Sequence, residues 1–255
     1  MFAAADAYDR HIGRYSRSLA QRLIEVAGVK AGDRVIDVGC GTGKLTGELV
    51  ALLGAANVSA VDPSQPFVSA VRAAFPGVTV EEAAGEQLPF GDDTFDASLA
   101  QLVVNFMKDA HAGVGEMKRV TRTGGSVAAA VWDYGKGMTL LRTFWDAAAA
   151  TDPGSNPKDE LNKRYATADE LSTLWAEVGL ADVRATAVDV AASYNGFEDL
   201  WFGFAAGVGP AGAYAASLDD DGRERLKSEM RRLLGVDESP FELAARAWVV
   251  VGRAP

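Results

Sequence analysis

Apolar residues recur at helical spacing in the first stretch of the chain. Tyr15, Leu19, Leu23 and Val26 would lie along one side of a helix spanning residues 7–27. The pattern then changes period. Arg34-Val35-Ile36-Asp37-Val38 is a short, nearly continuous apolar run ending in glycines, which predicts a strand buried on both faces. Residues 44–53 predict a helix, and Val58 to Val61 a second strand ending at Asp62. Pro63-Ser64 opens another helix, which Pro76-Gly77 stops. Val78 to Val80 and Phe95 to Leu99 predict strands three and four. A helix over residues 110–120 leads to Gly124-Gly125, and Ser126 to Trp132 predicts strand five.

The rest of the chain alternates less regularly. Met138, Leu141, Trp145 and Ala148 mark a helix, and Asp152-Pro153-Gly154-Ser155-Asn156-Pro157 a loop. Thr167-Ala168-Asp169-Glu170 has the form of a capping box, ahead of Leu171, Leu174, Trp175 and Val178 on one helical face and Gly179 as the stop. Residues 182–190 and 245–251 predict strands six and seven. Between them lie two helical segments, one marked by Phe197, Leu200, Trp201 and Phe204, the other by Leu226, Met230, Leu233 and Leu234. Strands alternating with helices predict an α/β fold: a doubly wound, Rossmann-like, seven-stranded and mostly parallel sheet. The last strand is expected antiparallel, with a helical cap inserted between strands six and seven. The expected organisation is one domain over 1–255: N-terminal helix 7–27, ligand-binding core 30–135, substrate-side region and cap about 136–244, and final strand 245–252.

Composition narrows the function. With 48% hydrophobic and 24% charged residues, the chain has the composition of a packed globular protein. Thirty-five acidic against 25 basic residues give a net charge of −10, which disfavours a nucleic-acid partner. The one short basic stretch runs from Arg223 to Arg232 behind Asp219-Asp220-Asp221, the charge order of a solvated helix. The single cysteine, Cys40, has no partner for an internal disulfide and suits a reducing compartment. The first six residues lack a basic segment followed by an apolar run, so no secretory signal is read there. Apolar stretches such as Val127 to Trp132 are too short to cross a bilayer. A cytoplasmic protein, monomer or homodimer, without membrane insertion is expected.

The candidate chemistry centres on Asp37-Val38-Gly39-Cys40-Gly41-Thr42-Gly43. A buried strand running through three alternate glycines into a helix lets a ligand approach the backbone without interference from Cβ atoms. Asp62, at the tip of the next strand, is a carboxylate placed to accept both hydroxyls of a ribose. The details separate this loop from a dinucleotide site. The spacing is G-x-G-x-G with Lys44 following, and Asp37 stands at a normally apolar position. Val38 and Leu45 likewise exclude a phosphate loop.

Val35-Ile36-Asp37-Val38-Gly39-Cys40-Gly41-Thr42-Gly43 resembles the first motif of class I S-adenosylmethionine-dependent methyltransferases. It is similar in particular to the small-molecule branch that includes bacterial quinone-biosynthesis C-methyltransferases. Val61-Asp62-Pro63-Ser64 resembles that branch's ribose motif, and Ala84-Gly85-Glu86-Gln87-Leu88-Pro89-Phe90 its adenine-side loop. Phe95-Asp96 resembles its fourth strand, and Arg119 to Gly125 the turn into its fifth. The resemblance covers about residues 30–132. It implies S-adenosylmethionine as cofactor, with S-adenosylhomocysteine as product and no metal. Gly39 and Gly41, with Cys40 and Thr42 between and beside them, would pass beneath the methionine moiety. Asp37 would hold the loop or the ammonium group. Asp62 and Pro63 would meet the ribose, and Ala84 and Gly85 the adenine. The carbonyl of Gln101 would approach the ammonium. Many relatives carry Asp where this chain has Ala84, so Glu86 is a candidate substitute. Arg14 and Tyr15 are candidates to close over the cofactor.

The remaining candidates concern the methyl acceptor. Neither His11 nor His111 has a partner at metal-ligand spacing. His11, Asp133 and Tyr134 are the candidate general bases, and Asn105, Phe106, Trp132, Tyr134 and Trp201 the candidate substrate contacts. Phe202 lies off the face set by Phe197, Trp201 and Phe204, so that helix is apolar on more than one side; it is either core or pocket lining. The expected reaction moves the sulfonium methyl group to a nucleophile of a small, apolar or aromatic molecule by direct displacement. Such a transfer needs alignment and exclusion of water more than a strong base. Two alternatives are a non-catalytic S-adenosylmethionine-binding module and a nicotinamide-dependent reductase.

Overall fold

Seven strands form one mixed sheet in the order β3-β2-β1-β4-β5-β7-β6. The computed structural model describes residues 10–155, 161 and 163–255. The parallel strands are β1 (Val35–Val38), β2 (Val58–Asp62), β3 (Thr79–Glu82), β4 (Phe95–Gln101) and β5 (Thr121–Trp132). β7 (Phe241–Arg253) lies antiparallel between β5 and β6 (Ala181–Tyr194). The expected fold class is therefore observed. Chain order reverses between β1 and β4, so the switch point of the sheet falls at their carboxyl ends.

The chain divides into two compact units. A core unit comprises Ser16–Val131, Arg164–Val188 and Ala247–Pro255. It contains β1 to β4 and the helices α1 (Ser16–Ala27), α2 (Lys44–Leu53), α3 (Gln65–Ala74), α4 (Ala110–Val120) and α6 (Ala168–Glu177). Every residue of β1 is buried, as the continuous apolar run requires. Asp109 and Thr167 cap α4 and α6 by accepting the backbone N–H groups of Ala112 and Glu170. Glu170 completes the capping box one residue early, accepting from the N–H of Ala166. Gly179, at φ 81°, ends α6 as expected. The second unit comprises Met1–Tyr15, Trp132–Lys163 and Asp189–Arg246, of which the described part starts at Arg10. It contains α5 (Thr139–Thr151), α7 (Phe197–Ala205), α8 (Gly209–Ser217) and α9 (Asp220–Leu234).

Four expectations about elements need correction. The N-terminal helix does not begin at residue 7 as one piece: Ile12–Tyr15 is a 3-10 turn, and the α-helix starts at Ser16. Residues 7–9 lie outside the described residues, and the buried face runs through Leu19, Leu23, Ile24 and Ala27 rather than Val26. Between β6 and β7 there are three helices, not two. The middle one, α8, is hidden in sequence because Gly-Pro-Ala-Gly-Ala offers small residues in place of a large apolar stripe. β5 begins at Thr121, which pairs with Phe95; Arg122 to Gly125 then make an excursion before Ser126 resumes opposite Ala97. Strands six and seven extend beyond the expected 182–190 and 245–251, because alternating buried and exposed positions continue at the end of one and the start of the other.

Candidate functional site

The glycine loop leaves β1 through three left-handed glycines: Gly39 (φ 75°), Gly41 (φ 51°) and Gly43 (φ 81°). The N–H groups of Gly39 and Cys40 both donate to the carbonyl of Val61, at 2.8 and 2.9 Å, tying the loop to the end of β2. Side chains also require these glycines. A Cβ on Gly39 would lie 2.4 Å from Val103 Cγ2, and one on Gly43 2.9 Å from the Phe75 ring. Asp62 clamps the loop from the other side. Its Oδ2 accepts the Gly41 N–H at 2.9 Å and its Oδ1 the Ser64 N–H at 2.8 Å. Each carboxylate oxygen keeps a lone pair for a further donor. Cys40 is buried, and burial pushes its thiol well above the usual range, so it is a packing residue rather than a thiolate.

Four polar atoms at the ends of β1 and β4 and in the turn after β4 are buried without a partner among the described residues. They are Asp37 Oδ1, Gln101 Oε1 and both amide atoms of Asn105. Asp37 Oδ2 accepts the Thr46 hydroxyl at 2.6 Å, and Gln101 Nε2 donates to the Ser16 carbonyl at 2.9 Å. Their second atoms are left exposed to nothing. Burial raises the Asp37 carboxyl to about 7; the Thr46 hydrogen bonds oppose the rise, and the nearby Asp62 charge adds to it. Leu102, directly after β4, holds a left-handed φ of 62°, a conformation that costs a leucine about 1 kcal/mol or more. Folded proteins pair nearly all buried polar atoms, so these atoms are available to hydrogen-bond a ligand. Three acceptors and one donor suit the ammonium and carboxylate ends of an amino acid moiety, the chemistry that S-adenosylmethionine presents. The residues present fit that cofactor.

On the expected adenine side, Ala84 and Pro63 are exposed. A Cβ on Gly85 would meet Met107 Cε at 2.9 Å. Glu86 Oε1 already accepts the N–H groups of Lys108 and Asp109, so Glu86 fixes the turn into α4. Phe106 is an exposed aromatic, at 63%. The core unit thus brings together Asp37, the glycine loop, Asp62, Gln101 and Asn105. Reading the sequence missed Thr46, Leu102, Val103 and Met107. Only Thr46 had a signal: it is a polar residue on the apolar stripe of α2 with Leu49 and Leu53.

His11, Arg14, Tyr15, Trp132, Asp133, Tyr134 and Trp201 belong to the second unit. Arg14 forms an ion pair with Asp199, donates to the Ser193 carbonyl at 3.0 Å and lies over the Tyr194 ring. Tyr15 is buried, with its hydroxyl 3.3 Å from that of Tyr194 and its ring edge-on to Trp132. Asp133 Oδ1 accepts the Lys136 N–H in the turn after β5, and Tyr134 is buried in the same turn. Trp201 stacks between Phe144 and Phe197. His11 is buried edge-on to Phe204; burial, and secondarily the Arg14 charge, lower its imidazole to about 4.

Comparison with known proteins agrees with the core geometry. Residues 36–129 match the family model described as a methyltransferase domain. An uncharacterised protein of Mycobacterium tuberculosis (strain ATCC 25618 / H37Rv) is 33% identical over 141 residues, covering 52% of this chain and 51% of that protein. The 2-methyl-6-phytyl-1,4-hydroquinone methyltransferase 2 of Oryza sativa subsp. japonica is 36% identical over 115 residues, covering 44% of this chain and 33% of that protein. The chain spans about half the length, or less, of these curated relatives. A Bacillus halodurans C-125 structure assigned as a methyltransferase superposes with a TM-score of 0.60 at 17% identity, covering 93% of this chain and 99% of that one. Residues 36–129 thus match a methyltransferase domain, and the chain shares its fold with a solved structure described as a methyltransferase.

Proposed function

We propose that the protein transfers a methyl group from S-adenosylmethionine to a small, apolar or aromatic acceptor. The observation that carries this reading is the set of unpartnered buried atoms on Asp37, Gln101 and Asn105 beside the glycine loop. When bound, S-adenosylmethionine supplies an electrophilic sulfonium methyl group, which a nucleophilic atom of the acceptor takes by displacement. The protein's part is to bind, orient and exclude water. Asp37 Oδ1 and Gln101 hold the ammonium, while Gly39, Cys40, Gly41 and Thr42 let the methionine chain pass close to the backbone. Asp62 keeps the loop clamped and accepts the ribose hydroxyls, with Pro63 beside it. Ala84 and Gly85 take the adenine through their backbone, since Glu86 is engaged in the turn. Asn105 and Phe106 contribute to the acceptor side of the core unit.

Similarity to a protein named for methylating a substituted hydroquinone supports an apolar, ring-containing acceptor. Among the described residues no helix is long and apolar enough to cross a membrane, and we read the protein as a cytoplasmic monomer or homodimer. Calorimetry with S-adenosylhomocysteine tests the cofactor assignment. Transfer of label from methyl-labelled S-adenosylmethionine to a panel of phenols and quinols tests the reaction. Binding without transfer to any acceptor would favour a non-catalytic module.

A further inference from the structure

The core unit holds a polar cavity of about 180 Å³ at the end of the sheet opposite the glycine loop. Lys30, Asp33, Asp96, Arg122, Ser126 and Arg253 supply its polar lining. These residues come from four separate stretches of the core unit: the turn after α1, the start of β4, the excursion in β5 and the end of β7. Ala97, also in the lining, pairs with Val35 at the beginning of β1. Gln101 lies at the other end of β4, about 13 Å along the strand, so the cavity is distinct from the glycine-loop site.

Three cationic side chains line the cavity against two carboxylates. Both carboxylates are already engaged. Asp33 Oδ2 accepts the Lys30 N–H at 2.9 Å. Asp96 accepts the Arg34 N–H at 2.7 Å through Oδ2 and the Arg122 Nε–H through Oδ1. The cations are less fully used. Arg253 is half-buried and donates through Nη1 to Ser126 Oγ at 2.6 Å and to the Gly124 carbonyl at 3.4 Å. Ser126 Oγ gives its own proton to the Ala27 carbonyl at 2.7 Å, so it acts as an acceptor and fixes that edge of the guanidinium. Among the described residues Arg253 has no carboxylate partner, Arg122 uses only its Nε, and the Lys30 ammonium has no hydrogen bond. A half-buried guanidinium without a counter-ion has given up hydration with little electrostatic return.

We propose that this cavity is an oxyanion site that takes a phosphate group, free or carried by a small compound. A phosphate offers oxygens in several directions, which suits donors arriving from three different segments; a carboxylate has two oxygens in one plane and is matched by a single guanidinium. The bound anion would tie the turn after α1, the β5 excursion and the end of β7 to one another. The net charge of −10 works against general attraction of anions, so saturable phosphate binding reports a local arrangement. The proposal stands apart from the methyl-transfer reading.

The test is calorimetry on the full chain with inorganic phosphate and glycerol 2-phosphate as probes. Acetate is the carboxylate control, and chloride holds the ionic strength constant. At least one phosphate probe should bind saturably and about 10-fold or more tighter than acetate. Tighter binding of glycerol 2-phosphate would support a phosphorylated compound, and of inorganic phosphate the free ion. Lys30→Gln and Arg122→Gln alter exposed side chains and should each weaken phosphate binding by about 3-fold or more. Arg253→Gln should abolish it. S-adenosylhomocysteine affinity should stay within about 2-fold in all three. Arg17→Gln removes the same charge from an exposed position outside the cavity lining and should leave phosphate affinity unchanged. If Arg253→Gln does not fold, the two exposed variants decide. Absence of saturable phosphate binding, equal binding of acetate, or a loss in Arg17→Gln as large as in Lys30→Gln and Arg122→Gln would overturn the proposal.

Discussion

Replacing Asp37 with Asn should make the cofactor-free protein more stable and the cofactor site weaker. Asp37 is fully enclosed, with one carboxylate oxygen on Thr46 and the other on nothing. Its carboxyl is raised from 3.8 to about 7 by burial. In the unfolded chain it ionises at the ordinary value, so between pH 4 and 7 the native state holds a proton that the unfolded state has released. Stability from this group is therefore present at low pH and is lost as pH rises through the folded value near 7. A shift of about three pH units corresponds to about 4 kcal/mol in all, of which about 2–3 kcal/mol falls between pH 5 and 8. An amide of the same shape keeps an acceptor for the Thr46 hydroxyl and never ionises. Urea unfolding of both proteins at pH 5, 6, 7 and 8 isolates the effect, because all other titrating groups cancel in the difference. The variant's advantage should grow by about 2–3 kcal/mol across that range and flatten above pH 7. S-adenosylhomocysteine affinity should fall by about 10-fold or more, since an amide cannot match the ammonium charge. Parallel stability curves would refute the reasoning, and unchanged cofactor affinity would remove Asp37 from the site.

Asp62→Ala frees the Gly41 and Ser64 N–H groups and removes the ribose acceptor; calorimetry should show S-adenosylhomocysteine binding weakened by about 1–3 kcal/mol. Gly39→Ala forces a Cβ to within 2.4 Å of Val103 at a φ of 75°, so thermal unfolding should show a loss of about 1–3 kcal/mol. Adding Val103→Ala should restore part of that loss; no recovery would place the whole cost in the backbone. His11 titrates in the opposite sense to Asp37. Its folded value of about 4 lies below the unfolded 6.5, so its contribution is complete above pH 6.5 and is lost as pH falls through 4. Relative to His11→Phe, the unmodified protein should lose about 3 kcal/mol over that interval in denaturant titrations. Thr167→Ala removes the cap on α6 and should lower stability by about 1 kcal/mol without affecting cofactor binding.

Much of the fold was legible because its determinants are local. The apolar run at Val35 to Val38, the three alternate glycines and the terminal Asp62 lie in consecutive elements, and together they predict a crevice at the ends of β1 and β2. Capping residues Thr167 and Gly179 were equally readable, since a cap satisfies backbone groups within its own turn. Small residues concealed α8, and the Arg122 to Gly125 excursion was hidden because its partner strand lies elsewhere in the chain.

The sequence by itself determined the class of fold, the glycine loop and the carboxylate that clamps it, because spacing and residue type set the backbone geometry there. Only the tertiary structure decided that Val103 closes over Gly39, that Thr46 takes one oxygen of Asp37, and that Gln101 and Asn105 join the other in lacking partners. It also decided that Arg14 is matched by Asp199 while His11 is buried without a hydrogen bond among the described residues. Residue type states what a side chain is able to donate or accept. Whether it is satisfied, charged or waiting for a ligand depends on burial and on neighbours distant in sequence, which exist only once the chain has folded.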